Sequence, residues 1–83
     1  MPDLNEYDVV RVAKLRLSRE SRAIMGSPDI LREPQIGDIG TILISYGGQS
    51  NAFIVECCDD MGRSFWVADF LTEELELVNK YIG

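Results

Sequence analysis

The sequence predicts a small, mainly β domain: a five-stranded SH3-like barrel with a long, partly ordered loop and one helical turn before the last strand. Two observations carry this prediction. Residues 34–44 hold two glycines three apart and then a β-branched run, which is typical of a bend that leads into a central strand. Short apolar runs separated by turn residues then continue to residue 78, as in small antiparallel barrels.

The first element is a half-buried strand at residues 7–15, where Val10 and Val12 share one side. A long connection follows at residues 16–35. Ser18 or Ser21 is expected to cap a short helical turn through Ile24 and Met25 there. A loop of this length in a small domain is often functional.

The second and third strands are predicted at residues 38–46 and 52–58, joined by a hairpin loop at 47–51. Alternation along these strands predicts which side chains face the same way. Ile42 and Ile44 are expected to share a face, with Phe53, Val55 and Cys57 directed into the core and Ile54, Glu56 and Cys58 directed outward.

The fourth strand is predicted at residues 63–69, with Phe65 and Val67 facing the core and Trp66 facing out. Thr72 is expected to cap one helical turn. A closing strand at residues 75–78 completes the predicted barrel.

Composition predicts one domain covering residues 1–83. No apolar run approaches the roughly 20 residues that span a bilayer. The polar, acidic start of the chain does not resemble a secretory signal, so we expect a cytoplasmic protein. Cys57 and Cys58 are adjacent on a strand, which predicts one core thiol and one surface thiol.

The chain has no histidine, which removes the commonest general base and the commonest metal ligand. The carboxylate pairs Asp59-Asp60 and Glu73-Glu74 are both expected in exposed turns, where neither would be desolvated enough for acid-base catalysis. We therefore predict a protein that is not an enzyme, with no catalytic, cofactor-binding or metal-binding residues.

The net charge of −6 is unevenly distributed. Residues 11–32 hold six basic residues against two carboxylates, a net +4, whereas the rest of the chain holds two basic residues against twelve carboxylates, a net −10. This asymmetry predicts steering of a charged partner, although simple solvation of an acidic protein explains it equally well.

An outward Trp66 is the strongest candidate for a binding site, because exposed tryptophans are enriched at the centres of protein interfaces. The predicted partner-binding residues are Trp66, Ile54, Glu56, Asp59 and Asp60. In the alternative interpretation, the long basic loop covers Trp66. Arg16, Arg19 and Arg22 recur at intervals of three and would share one face of a helical turn, which could contact an anion or nucleic acid.

The order of motifs resembles a small bacterial family of unknown function, the one numbered 4926. The resemblance runs from Tyr7 to Val78 and rests on the Asp-Val-Val strand, Ile-Gly-Asp-Ile-Gly-Thr-Ile, the strand and turn at 53–65, and Glu-Leu-Glu-Leu-Val at 74–78. It implies an SH3-like fold, no catalytic residues and, since such genes lie beside toxin-like genes, an antitoxin or immunity role. The longer, more basic connection at 16–35 and the large Trp66 depart from the family pattern.

Together these features predict an acidic protein-interaction module that inhibits a basic partner protein by covering its active site. A structural subunit or adaptor of a larger complex is one alternative. Nucleic-acid binding through the arginine-rich loop is another, which the acidic composition disfavours. No cofactor and no membrane association are expected.

Overall fold

The computed structural model describes residues 4–17, 22–46 and 52–82. Within these residues the chain forms one open antiparallel sheet of six strands and one 3-10 helix. The strands are β1 (Val9–Val12), β2 (Ile24–Met25), β3 (Ile39–Ser45), β4 (Ala52–Cys58), β5 (Ser64–Leu71) and β6 (Leu75–Asn79), and the 3-10 helix spans Thr72–Glu74. The strand order across the sheet is β2-β5-β4-β3-β1-β6.

The predicted mainly β class and the helical turn before the last strand are confirmed, but the long connection differs from the prediction. Ile24 and Met25 form a strand rather than a helical turn, because they pair with Ala68 and Val67 of β5. This pairing satisfies backbone groups at the edge of β5 and lets Ile24 pack against the core. The expected serine caps and the hairpin loop at 47–51 lie outside the described residues.

The hydrophobic core covers one face of the sheet. Alternating residues of the strands supply it, since side chains on a strand point to opposite faces in turn. The buried core residues are Val10, Val12, Ile42, Phe53, Val55, Cys57, Trp66, Ala68, Phe70 and Leu75. The inward direction expected for the side chains of β4 is confirmed.

The two glycines of the bend before β3 serve different purposes. Gly37 has a φ of +98°, a backbone conformation that favours glycine. Gly40 has no such angle, but a Cβ there would lie 2.7 Å from the Glu56 carbonyl oxygen and 2.8 Å from Val55 Cγ1. The second glycine therefore allows β3 to approach β4 closely.

Two bulges change which face some residues occupy. The register between β3 and β4 shifts between Ile42 and Ile44, so Ile42 is buried whereas Ile44 is 45% exposed. The prediction that they share a face is therefore wrong, because a bulge inserts one extra residue between them.

The second bulge lies in β5. Cys57 pairs with Trp66 and Cys58 pairs with Ser64, which leaves Phe65 as the extra residue. Phe65 still packs against the core as predicted. From Trp66 onward the alternation is reversed, so the predicted outward orientation of Trp66 is wrong: its side chain is 0% exposed.

In the described part of the chain, no helix has both the length and the apolar character needed to cross a membrane.

Candidate functional site

Ile54 and Glu56, two of the predicted partner-binding residues, lie on the side of the sheet opposite the core. Glu56 pairs with Thr41 on one side and Val67 on the other, and Ile54 pairs with Ile44 and Asp69. We call this surface the outer face, and it comprises Thr41, Ile44, Ile54, Glu56, Val67 and Asp69. These residues are half-buried or exposed, and β3, β4 and β5 contain no lysine or arginine. The outer face is therefore aliphatic with two carboxylates.

Trp66 does not belong to the outer face. Its indole lies in the core, tilted against the Phe70 ring with 5.2 Å between ring centroids. The indole N–H donates to Asp38 Oδ2 at 2.9 Å, which satisfies the one polar group that a buried tryptophan carries. Trp66 cannot contact a partner in this structure, and its role as an interface anchor is corrected to that of a core residue.

The two predicted aspartates of the β4–β5 turn differ from each other. Asp59 organises the turn: its carboxylate accepts backbone N–H bonds from Met61 and Arg63 and a side-chain bond from Arg63. Burial alone would raise the pKa of Asp59, but these bonds outweigh it and lower the pKa below 3.8. Asp60 is exposed, so it is the aspartate of this turn that solvent and a partner can reach.

Glu74 is one of the two most heavily hydrogen-bonded carboxylates of the described residues, and the prediction that it lies in an exposed turn is wrong. It is fully buried and is the last residue of the 3-10 helix. Leu71, rather than the predicted Thr72, lies in the cap position before the first residue of this helix. Its oxygens accept bonds from the backbone N–H groups of Arg16, Leu17 and Leu71 and from the Arg22 guanidinium. Burial alone would raise the pKa of Glu74, but these bonds hold it below 4.5.

The predicted arginine face is not formed by the described residues. Arg22 is buried against Glu74, and its guanidinium lies 4.3 Å from the centroid of the Phe70 ring. Arg16 is exposed, with its Nε 3.9 Å from Glu73, and Arg19 lies outside the described residues. Arg22 is therefore corrected from a candidate anion contact to a structural residue, because Glu74 neutralises its charge inside the protein.

Asp38 is half-buried and forms a second carboxylate cluster. Arg32 of the long connection binds it through both terminal nitrogens, at 2.8 and 3.1 Å, and the Gln35 N–H and Trp66 indole N–H also donate to it. Burial alone would raise the pKa of Asp38, but the bonds from Arg32, Gln35 and Trp66 outweigh it and lower the pKa below 3.8. Asp38 thus joins the long connection to the core.

Asp8 forms the third cluster and joins the two ends of the chain. Its carboxylate accepts bonds from the Tyr81 N–H, the Lys80 ammonium and the Asn5 N–H. Burial alone would raise the pKa of Asp8, but these bonds outweigh it and lower the pKa below 3.8. Tyr81 then packs edge-on against Tyr7, with 5.2 Å between ring centroids.

These clusters explain the charge asymmetry of the sequence. Basic residues of the 11–32 segment pair with carboxylates elsewhere: Arg11 with Glu76, Arg22 with Glu74 and Arg32 with Asp38. The opposite charges of the two segments were the only sequence signal for these contacts. Spacing could not identify the partners, because each pair joins residues from separate elements.

Acid should destabilise the fold through these clusters. Because the folded pKa values of Asp8, Asp38 and Glu74 are lowered, their stabilisation is complete above their ordinary values of 3.8 and 4.5 and is lost as the pH falls below them. We expect the melting temperature to change little between about pH 7 and 5 and to fall steeply towards about pH 3.

Circular dichroism at constant ionic strength measures this, with Asp38→Asn as the comparison. The variant is less stable at neutral pH but should lose less stability on acidification, since one of the carboxylates with a lowered pKa is gone. An acid transition equally steep in both proteins would contradict the role of Asp38.

The cysteines occupy the places predicted for them: Cys57 is buried and Cys58 is exposed, and neither forms a disulfide. Burial raises the pKa of each thiol above 9.0, which keeps both protonated at neutral pH. Among the residues described, no three histidine, cysteine, aspartate or glutamate side chains are grouped so that they could hold a metal ion.

Comparison of the chain with protein-family models, curated proteins and solved structures finds no match.

Proposed function

We propose that this protein is a non-enzymatic interaction module that binds a basic protein partner through the outer face and inhibits it, in the manner of an antitoxin or immunity protein. The observation that carries the proposal is the composition of that face. Ile44, Ile54 and Val67 supply an aliphatic surface between Glu56 and Asp69, on strands without a basic residue. Such a face complements a partner with apolar groups surrounded by lysines and arginines.

Charge distribution supports the choice of a basic partner. Arg11, Arg22 and Arg32 are each paired with a carboxylate of this chain, so their charges are already compensated. The overall charge of −6 would speed the approach of a basic partner and disfavour nucleic acid. Asp60, exposed in the β4–β5 turn, adds to the attraction.

The SH3-like description is part of this proposal. The hairpins of β3, β4 and β5, the 3-10 turn before the last strand, and the pairing of that last strand with β1 support it. Small barrels of this kind commonly act through surfaces rather than through catalytic groups, and the same fold hosts unrelated functions.

Charge reversal on the outer face should abolish capture of the partner. We expect affinity capture from native lysate at moderate salt to yield one dominant basic protein, and Asp69→Lys to reduce its recovery at least about tenfold, because like charges across an interface cost several kcal/mol. Glu73→Lys makes the same charge change outside the outer face and should capture normally. The purified partner should then lose its activity when this protein is added.

Other outcomes would redirect the assignment. Stoichiometric capture of several subunits of one complex, with no loss of any activity, would favour the adaptor function. Prey that disappears after nuclease treatment would favour nucleic acid. Equal capture by wild type and Asp69→Lys would rule out the outer face as the binding surface.

A further inference from the structure

Two tyrosine rings form an exposed pair at the end of the sheet where β1 begins and β6 ends. Tyr7 lies just before β1, and Tyr81 follows β6. The rings pack edge to face with 5.2 Å between centroids, yet Tyr7 is 53% exposed and Tyr81 is 60% exposed. An edge-to-face contact covers a single face of one ring, so the other faces stay open to a ligand. We call these two residues the tyrosine pair.

Tyr7 has a backbone conformation that a tyrosine does not favour. Its φ is +72°, and it is the only non-glycine residue with a positive φ in the described part of the chain. The Tyr7 N–H donates to the Ile42 carbonyl oxygen at 2.7 Å, and the Asp8 N–H closes the turn on the Asn5 carbonyl oxygen at 3.1 Å. Glycine or asparagine would form this turn with less strain, so the tyrosine ring must supply a benefit that offsets it.

The tyrosine pair adjoins the outer face. Tyr7 is bonded to Ile42 of β3, and the Ser45 N–H of the same strand donates to Glu6 Oε2 at 3.3 Å. Ile44 of the outer face lies between these two attachment points in the strand. A partner seated on Ile44 is therefore next to the open tyrosine rings, and tyrosine is one of the residues that dominate binding at interfaces.

Charge indicates what the open ring faces contact. Glu6, the residue before the pair, is exposed and has no ion pair within the described residues. The Lys80 ammonium lies nearby, but the buried Asp8 carboxylate, 3.0 Å away, compensates its charge. The segments 1–3 and 47–51, which come next along the chain, contain one aspartate and no basic side chain. This end of the sheet therefore favours a cation.

Among protein cations, the arginine guanidinium suits open ring faces best, because it is flat, stacks on aromatic rings and is weakly hydrated. We propose that the tyrosine pair binds an arginine side chain of the basic partner, with the guanidinium stacked on a tyrosine ring and its charge beside Glu6. The identity of the partner rests on the proposed function. The aromatic anchor that was predicted at Trp66 is then supplied by Tyr7 and Tyr81.

The probe is acetyl-Arg-Ile-Arg-Ile-amide, titrated into the isotope-labelled protein at low ionic strength. We expect saturable chemical-shift changes at the backbone amides of Tyr7, Asp8 and Tyr81, with a Kd of roughly 0.1–1 mM, as the ligand efficiency of a short peptide allows. The arginine δ-methylene protons should shift upfield, because stacking places them over a ring. The same peptide with citrulline for arginine keeps the shape without the charge and should bind about fivefold more weakly.

Two variants identify the rings. Tyr7→Asn and Tyr81→Leu should each weaken binding of the arginine peptide about three- to fivefold, the effect of losing an exposed cation–π contact. Tyr46→Asn is the matched control, because Tyr46 is 57% exposed but belongs to no ring pair among the described residues. Asparagine suits the positive φ of Tyr7, so Tyr7→Asn should unfold at a temperature close to that of the wild type. Its weaker binding then reflects the ring and not the fold.

Four results would overturn the proposal. They are no saturable shift with the arginine peptide, equal binding of the arginine and citrulline peptides, wild-type affinity in both Tyr7→Asn and Tyr81→Leu, and tighter binding of acetyl-Pro-Ile-Pro-Ile-amide. The last would identify a site for proline-rich segments instead. If the arginine contact fails while Asp69→Lys still abolishes capture of the partner, the proposed function stands without it. If the arginine peptide binds the tyrosine pair but Asp69→Lys captures normally, the arginine site stands and the outer face falls.

Discussion

Replacing Glu74 with alanine will lower the free energy of unfolding by about 3–5 kcal/mol, the cost of leaving a buried charge without its partner. The variant leaves Arg22 buried beside Phe70 without its counter-charge. It also removes the acceptor for the N–H groups of Arg16 and Leu71. A domain of this size is stable by only about 5–15 kcal/mol, so the variant will lose a large share of its stability.

Urea unfolding followed by circular dichroism measures this effect, and Glu73→Ala is the matched control. Glu73 is the preceding residue of the same 3-10 helix, but its side chain is 57% exposed, and its one ion pair within the described residues is the 3.9 Å contact with Arg16. Its removal should change the free energy of unfolding by no more than about 0.5 kcal/mol. Glu74→Gln, which keeps the shape and one acceptor oxygen, should fall between the two. Equal stability of Glu74→Ala and Glu73→Ala would show that the buried cluster contributes nothing.

Trp66→Ala will cost about 3–5 kcal/mol, because it leaves a large cavity in the core. The indole is fully buried against Phe70, and its loss also removes one of the donors to Asp38. Trp66→Phe keeps most of the apolar volume but loses the N–H bond, so a smaller loss of about 1–3 kcal/mol is expected.

Fluorescence gives an independent test, since Trp66 is the only tryptophan in the chain. Its emission should be blue-shifted and poorly quenched by acrylamide in the folded protein, and should shift to red on unfolding. Met61→Ala, at a position that is 81% exposed, should change the free energy of unfolding by no more than about 0.5 kcal/mol. If Trp66 were the exposed anchor that the sequence suggests, Trp66→Ala would leave stability unchanged and weaken only partner binding.

The alternation of apolar and polar residues predicted the buried side chains correctly where the chain follows a regular strand. In β4, Phe53, Val55 and Cys57 are buried as alternation predicts, and the adjacent cysteines therefore fall on opposite sides. The glycine bend before β3 was likewise recognisable, because a positive φ at Gly37 and close packing at Gly40 both require glycine.

The same alternation gave wrong predictions where pairing with another strand determines the structure. Ile24 and Met25 are too few to show a period, and they form a strand only because β5 offers them partners. The bulge at Phe65 reverses the alternation of β5 and turns Trp66 inward. A bulge exists only as a mismatch between two strands, so one strand's sequence does not reveal it.

The residues of the candidate site also differ in whether the sequence could place them. Ile54 and Glu56 were placed on the outer face by alternation alone, whereas Ile44 and Asp69 joined them through cross-strand pairing. Asp8, Asp38 and Glu74 looked like ordinary surface carboxylates, because no local signal distinguishes a buried carboxylate from an exposed one.

The sequence by itself determined the β class, the turn before the last strand, the inward side of β4 and the unequal charge of the two segments. These properties depend on residues close together in the chain, where φ preference and the two-residue period of a strand act directly. Only the tertiary structure decided that Trp66 is a core residue and that Arg22 and Arg32 are held by Glu74 and Asp38. Burial and ion pairing depend on which distant residues meet, so they become defined only when the sheet assembles.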